Sequence, residues 1–281
     1  MLLDLQTVTQ TKGNTQFFVF NLFADYILPY KNGWAWTHEL LYLLDLLGVS
    51  DRAARTTLSR MKQEGWFDTM RDGRRSRYEI TAKGRAIIAE GDKRIFETPI
   101  VNWSGEWQFA IYSLPEEKRQ LRNLLRKKLV WFGFGNLAPG TWVCARDRQH
   151  ELETIVAEMG ISSYVTLVNG KRVSLMSDEE IVAKCWDLNS LDAEYATFVD
   201  RWKSRLEGQD RYIASMTAAE RFLNRFMLTF EFQPFPRIDP NLPTVLLPED
   251  WSGFAARRLF TAYRLKLNQG LDRFFTELPQ G

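Results

Sequence analysis

Residues 50–80 read SDRAARTTLSRMKQEGWFDTMRDGRRSRYEI, and within them the hydrophobic period changes from that of a helix to that of a strand. Ser50 can cap a helix that runs to about Glu64, where Gly65 is a stop signal. Advancing about 100° per residue from Ala54, Leu58 and Met61 fall within about 40° of it, whereas Arg52, Ser59 and Gln63 lie near 140–180°, flanked by Arg55 and Thr56. One side of this helix is apolar. The other presents Arg, Thr, Ser and Gln, the side chains that reach phosphates and base edges. After Gly65 the pattern alternates through 66–70 and 78–80, which makes a hairpin with Asp72-Gly73-Arg74-Arg75 at its tip. Arg71, Arg74, Arg75 and Arg77 crowd this hairpin, an arrangement that repels itself in an ordinary loop but suits flanking phosphates.

Upstream, Gln16 to Leu28 places Phe17, Phe20, Ala24 and Ile27 at helical spacing, ended by Pro29 and Asn32-Gly33. A second helix follows, with Thr37 as its cap and Gly48 as its close. Downstream, Thr81 opens a helix to about Phe96, and Pro99 breaks it. Three short helices and a basic hairpin in this order are the parts of a winged helix-turn-helix. Charge agrees: 50–85 hold ten Lys and Arg against five Asp and Glu, while the whole chain is only +2, so the remainder sums to −3. The expected DNA contacts are Arg52, Arg55, Thr56, Ser59 and Arg60 on the helix and Arg71, Arg74, Arg75 and Arg77 on the hairpin.

The middle of the chain reads strand, helix, strand, helix, strand over 107–114, 116–131, 137–145, 149–159 and 163–168, which predicts a small ferredoxin-like α+β domain. From Asp178 the pattern is helical, with helices at about 217–231 and 250–277 flanking a proline-rich run that ends at Pro248. Residues 177–210 carry nine acids against four bases, a sign that would repel DNA and fits dimerisation or ligand coupling better. The expectation is an α+β chain of three domains: a winged helix at 1–98, a ferredoxin-like domain at 99–176 and a helical domain at 177–281.

With 281 residues, 45% of them hydrophobic and 14% aromatic, the chain has the apolar area for packed cores. Cys144 and Cys185 match no disulfide, metal or redox spacing. MLLDLQTVTQ lacks the pattern of a signal peptide, and the longest apolar run is interrupted by Asn21 and Asp25, so a soluble cytoplasmic protein with no membrane partner is expected. His38 and His150 fall in different domains, Cys144 and His150 make a weak pair, and the glycines form no phosphate loop. No cofactor, no metal and no enzymatic activity are expected.

Five ordered stretches add a resemblance: VSDRAARTTLSRMKQEGWF at 49–67, RDGRRSRYEIT with the following KGR at 71–85, NWSGEWQFAIYSLPE at 102–116, WFGFGNLAPGTWV at 131–143 and FQPFPRIDPNLPTVLLPEDWSGFAARRLF at 232–260. Together they resemble the PaaX family of bacterial repressors of phenylacetic acid catabolism. The resemblance implies a homodimer on palindromic double-stranded operator DNA, repressing a catabolic operon and released by an aryl-acetyl-CoA effector such as phenylacetyl-CoA. For such an effector the candidate residues are Trp103, Trp107, Trp131, Phe134 and Trp142 for the aryl group and Arg119, Arg122 and Lys128 for the phosphates. Two alternatives stand beside the repressor: a metal-dependent nuclease of ferredoxin-like type, though 107–113 holds no carboxylate to bind metal, and a winged helix that docks protein instead of DNA.

Overall fold

The computed structural model describes residues 12–97, 99–171, 176–206, 208 and 210–279. The stretch read for a signal peptide, residues 1–10, and Thr98 at the first expected boundary lie outside them. The architecture is mixed α+β, with two small sheets and many helices, divided into two compact units. One unit holds residues through Lys93, Ser204–Glu231 and those from Phe260; the other holds Arg94–Lys203 and Phe232–Leu259.

In the first unit α1 (Lys12–Leu22) passes through a π-helical turn (Phe23–Ile27) into a short segment, Leu28–Lys31. Pro29 does not break the run, as its sequence position suggested, because it lies in the first turn of that segment, where a proline's missing N–H is tolerated. Asn32 and Gly33, both at positive φ, do end it. Strand β1 (Trp34–Trp36) then leads into α2 (Thr37–Leu46). Thr37 is not the cap: the Glu39 carboxylate accepts the Trp36 N–H at 2.9 Å, and the Thr37 hydroxyl donates instead to the Ser76 carbonyl at 2.8 Å. Helix α3 (Asp51–Gln63) is capped by Ser50, whose hydroxyl accepts from the Ala53 N–H at 3.4 Å, and Gly65 at φ +79° turns the chain out of it. Strands β2 (Phe67–Asp72) and β3 (Arg75–Ile80) pair antiparallel from Phe67↔Ile80 to Asp72↔Arg75, leaving Gly73 and Arg74 as the turn. Positive φ at Gly73 alone fits the type II′ connection, which wants glycine first. Strand β1 joins the far side of β3, and α4 (Ala82–Ile95) follows.

In the second unit β4 (Glu106–Tyr112), α5 (Arg119–Trp131), β5 (Gly135–Ala138), β6 (Thr141–Cys144), α6 (Gln149–Glu158) and β7 (Val165–Lys171) build an antiparallel sheet in the order β5-β6-β4-β7. The single strand expected over 137–145 is two. Pro139-Gly140 folds it into a hairpin, Gly140 takes φ +71°, and a Cβ there would stand 2.5 Å from the Tyr112 carbonyl oxygen. The core under α5 and α6 comprises Ala110, Tyr112, Leu125, Leu129, Phe134, Trp142, Leu152 and their neighbours. Helices α7 (Asp178–Cys185) and α8 (Leu188–Leu206) follow, the latter burying Tyr195, Phe198 and Trp202.

The C-terminal third serves both units. Helices α9 (Asp210–Ser215), α10 (Ala218–Phe232), α11 (Ser252–Lys266) and α12 (Leu271–Thr276) are separate, the expected helix over 250–277 being cut where Gly270 adopts φ +79°. Helices α10 and α12 complete the core of the first unit: Phe226 meets Phe18 edge-on at 5.1 Å, and Phe275 stacks on Tyr26 at 5.2 Å. Within this core Asp25, in the π turn, takes both oxygens to Arg264, at 2.7 and 3.1 Å, and accepts the Thr229 hydroxyl at 3.2 Å.

Candidate nucleic-acid interface

Helix α3 buries Ala54, Thr57, Leu58 and Met61 and exposes Arg52, Arg55, Thr56, Ser59 and Arg60, the division its angular pattern predicts. The exposed side chains are not equivalent. Arg55 binds Asp51 one turn back, Nε to Oδ1 at 2.6 Å and Nη2 to Oδ2 at 3.2 Å, which holds its guanidinium above its ordinary pKa. The Thr56 hydroxyl is donated to the Arg52 carbonyl at 2.8 Å, and Ser59 stays exposed. Arg60 is turned toward α1, donating to the Gln16 side chain at 2.9 Å with Glu64 at 3.8 Å. The Arg52 guanidinium has neither a hydrogen bond nor an acidic partner among the described residues.

Alternation along the hairpin separates its arginines. Thr69, Arg71, Ser76 and Tyr78 share one face of the β2–β3 ribbon; Met70, Arg75, Arg77 and Glu79 share the other. The first face looks toward α3, since Lys62 donates to the Thr69 hydroxyl at 2.6 Å and Arg55 acts on Tyr78. Burial raises the pKa of the half-buried Tyr78, and the charge of Arg55 works against that rise. Arg77 lies on the opposite face with its guanidinium 4.7 Å from the centre of the Trp34 ring, 3.3 Å from Met70 Sδ and 3.5 Å from Glu79. Arg71, Arg74 and Arg75 are exposed, the first two without an acidic partner among the described residues. Two bases that swelled the local charge count are spent on the fold: Lys83 Nζ donates to the Glu64 carbonyl at 2.7 Å, and Arg85 to that of Asn32 at 3.4 Å. Thr69 and Tyr78 escaped the sequence pattern because only the register of the hairpin brings them to α3, where Lys62 meets Thr69.

The residues expected to hold an effector are dispersed in the second unit. Trp103 packs edge-on against the buried Trp107 at 5.1 Å and donates to the Glu106 carbonyl; Trp107 donates to Asp178 at 3.0 Å and stacks on Trp186. Phe134 and Trp142 are core residues, and Trp131 packs against that core. Arg122 is drawn to Glu116 at 2.7 Å, with Arg119 at 3.9 Å from the same carboxylate, and Lys128 is half-buried on α5. Two clefts open elsewhere in this unit. One, of about 530 Å³, is lined by Gln108, Gln149, Glu153 and Asn169 among others; the other, of about 590 Å³, by Val182, Cys185, Trp186 and Leu246 among others. None of the eight expected effector residues lines either cleft. Burial pushes the Cys185 thiol up to about 11, so it is an inert wall at neutral pH. Among the described residues no three or more His, Cys, Asp and Glu are grouped to hold a metal ion, and no helix is long and apolar enough to cross a membrane.

Three family models match in chain order: a PaaX-like protein over residues 14–84, the PaaX protein central Cas2-like domain over 101–182, and the PaaX-like protein C-terminal domain over 186–277. The chain belongs to the PaaX family. Its similarity to the transcriptional repressor PaaX of Escherichia coli (strain K12) is 29% identity over 235 residues, 83% of this chain and 74% of the relative. A solved structure of an uncharacterised Mycobacterium tuberculosis protein matches with a TM-score of 0.62 at 20% identity, covering 95% of this chain and 99% of the other, a likeness of fold alone. The first PaaX model ends at residue 84, so it takes in α3 and both hairpin strands. The C-terminal PaaX model spans residues that fall in both compact units.

Proposed function

We propose that the chain is a DNA-binding transcriptional repressor whose first unit is a winged helix-turn-helix, with α3 entering a major groove and the β2–β3 hairpin as the wing. The observation that carries the reading is the exposed side of α3, with Arg52, Arg55, Thr56 and Ser59, lying beside a ribbon that presents Arg71, Arg74 and Arg75. Arg60 and Arg77, in their contacts with Gln16 and Trp34, support these elements from behind. The similarity to a transcriptional repressor favours repression over activation.

The strand order β5-β6-β4-β7 supports a ferredoxin-like unit, to which we assign residues 99–176, after a winged helix at 1–98 and before the helical segment 177–281. The fuller reading is a cytoplasmic homodimer on a palindromic operator of an aromatic-acid catabolic operon, released by an aryl-acyl-CoA ester. A gel shift of the purified chain on the DNA upstream of its own operon tests the DNA half, and failure to retard that duplex beyond a mixed-sequence one removes it. Tryptophan fluorescence during titration with acyl-CoA esters tests the effector half, and a flat response across the panel removes that.

A further inference from the structure

The pair at the start of α3 has a definite geometry. Asp51 takes Arg55 from the side, with one oxygen on Nε and the other on Nη2. A guanidinium has five N–H donors on three nitrogens. The side-on contact uses the Nε–H and one Nη2–H, leaving both hydrogens of Nη1 and the second of Nη2. One hydrogen from each of these two nitrogens forms the end-on edge, a pair of parallel donors at the spacing that matches O6 and N7 of guanine in the major groove.

The ion pair does little for the fold. Its side chains are 57% and 62% exposed, and solvated pairs one helical turn apart contribute little to stability. For recognition its consequence is larger, because a long side chain fixed before contact loses less freedom on binding. Its acidic partner also carries a cost, since a carboxylate at the mouth of a DNA-reading helix repels phosphates of every sequence.

We propose that Asp51 is a positioning residue that holds Arg55 from the side so that the free end of its guanidinium reads a guanine. The inference rests on α3 being the DNA-reading helix. Asp51 thereby exchanges general affinity for discrimination.

The experiment selects duplexes from a randomised library with the full-length wild-type chain, Asp51→Asn and Arg55→Ala in parallel, and sequences the enriched pools. Wild type should enrich a guanine column that Arg55→Ala loses. Asp51→Asn should weaken that same column at least about fivefold, the lower bound for one good bidentate base contact, and leave the other columns standing. Its affinity for a mixed-sequence duplex should hold or rise, while thermal unfolding followed by circular dichroism stays at the wild-type midpoint. A guanine column kept at full strength in Asp51→Asn, an even loss across all columns, or a column indifferent to Arg55→Ala would each overturn the inference. Wild type enriching no sequence at all is a separate result, because it removes the DNA reading itself.

Discussion

Arg52, Arg71 and Arg74 of the first unit stand exposed without an acidic partner among the described residues, whereas Arg94, Arg146 and Arg148 of the second close on one carboxylate, Glu97. Arg94 lies 2.6 Å from Glu97 and Arg146 3.7 Å, and Arg148 makes the closest contact. Asn241 donates to Glu97 at 2.9 Å, and Arg94 also donates to the Asp239 carbonyl, whose side chain accepts the buried Tyr195 hydroxyl at 2.7 Å. This clasp ties the end of α4, the turn after β6 and the proline-rich run after α10 together. The same residue type therefore does opposite work at the two sites. An exposed arginine keeps its donors for a polyanion, and a buried one is held only because fixed acceptors replace water.

The contrast breaks hardest at Glu97. Glu97→Ala leaves three arginines around an empty place, and removing one partner of a buried ion pair costs about 3–5 kcal/mol. Urea denaturation should show that loss, and a change below about 1 kcal/mol would mean that water already screens the clasp. Burial opposes ionisation of Glu97, but Arg148, Arg146, Arg94 and the Asn241 hydrogen bond outweigh it and hold the carboxyl below its usual range. A carboxylate depressed in the folded state contributes stability that is fully present above its unfolded pKa of about 4.3 and disappears as pH falls through the lower folded value. The stability gap between wild type and Glu97→Gln should accordingly narrow on acidification below about pH 4.

The two regions also differ in how much of them the sequence disclosed, and distance along the chain explains why. Helix α3 and the hairpin are local: a cap at Ser50, a stop at Gly65, a 3.6 period and then a period of two suffice to place them. Strand β1 escaped because Trp34-Ala35-Trp36 is too short to display alternation. Asp25 read only as an interruption of an apolar run, since its partner Arg264 lies 239 positions away. Glu97 had no signal of any kind, because Arg146, Arg148 and Asn241 come from segments separated by 49 to 144 positions. The charge count overstated the interface for the same reason: Lys83 and Arg85 are basic in the sequence and committed to carbonyls in the fold. Aromatic crowding misleads in the same way, since Phe134 and Trp142 gather to fill a core.

Within the exposed set the next effect in size belongs to Arg55. Arg55→Ala should cost about 1–3 kcal/mol on the preferred duplex and relax the preference at one base pair, with affinity for mixed-sequence DNA little changed. Competition binding at fixed salt separates the two quantities. An equal loss on both duplexes would place Arg55 on a phosphate instead of a base.

Arg74 and Arg77 provide the finest test, because they lie three residues apart on one hairpin and differ mainly in what they already touch. Arg74, exposed in the turn, should act as a phosphate contact: Arg74→Ala should weaken every duplex alike and lower the slope of log affinity against log salt by about 0.9. Arg77 spends its guanidinium on Trp34, Met70 and Glu79, so Arg77→Ala should leave that slope at its wild-type value. Its loss should instead appear in unfolding, at about 0.5–1 kcal/mol for one cation–π contact at a partly exposed site. Equal salt slopes for the two variants would make Arg77 a phosphate contact as well, and the wing would then bind DNA with both faces.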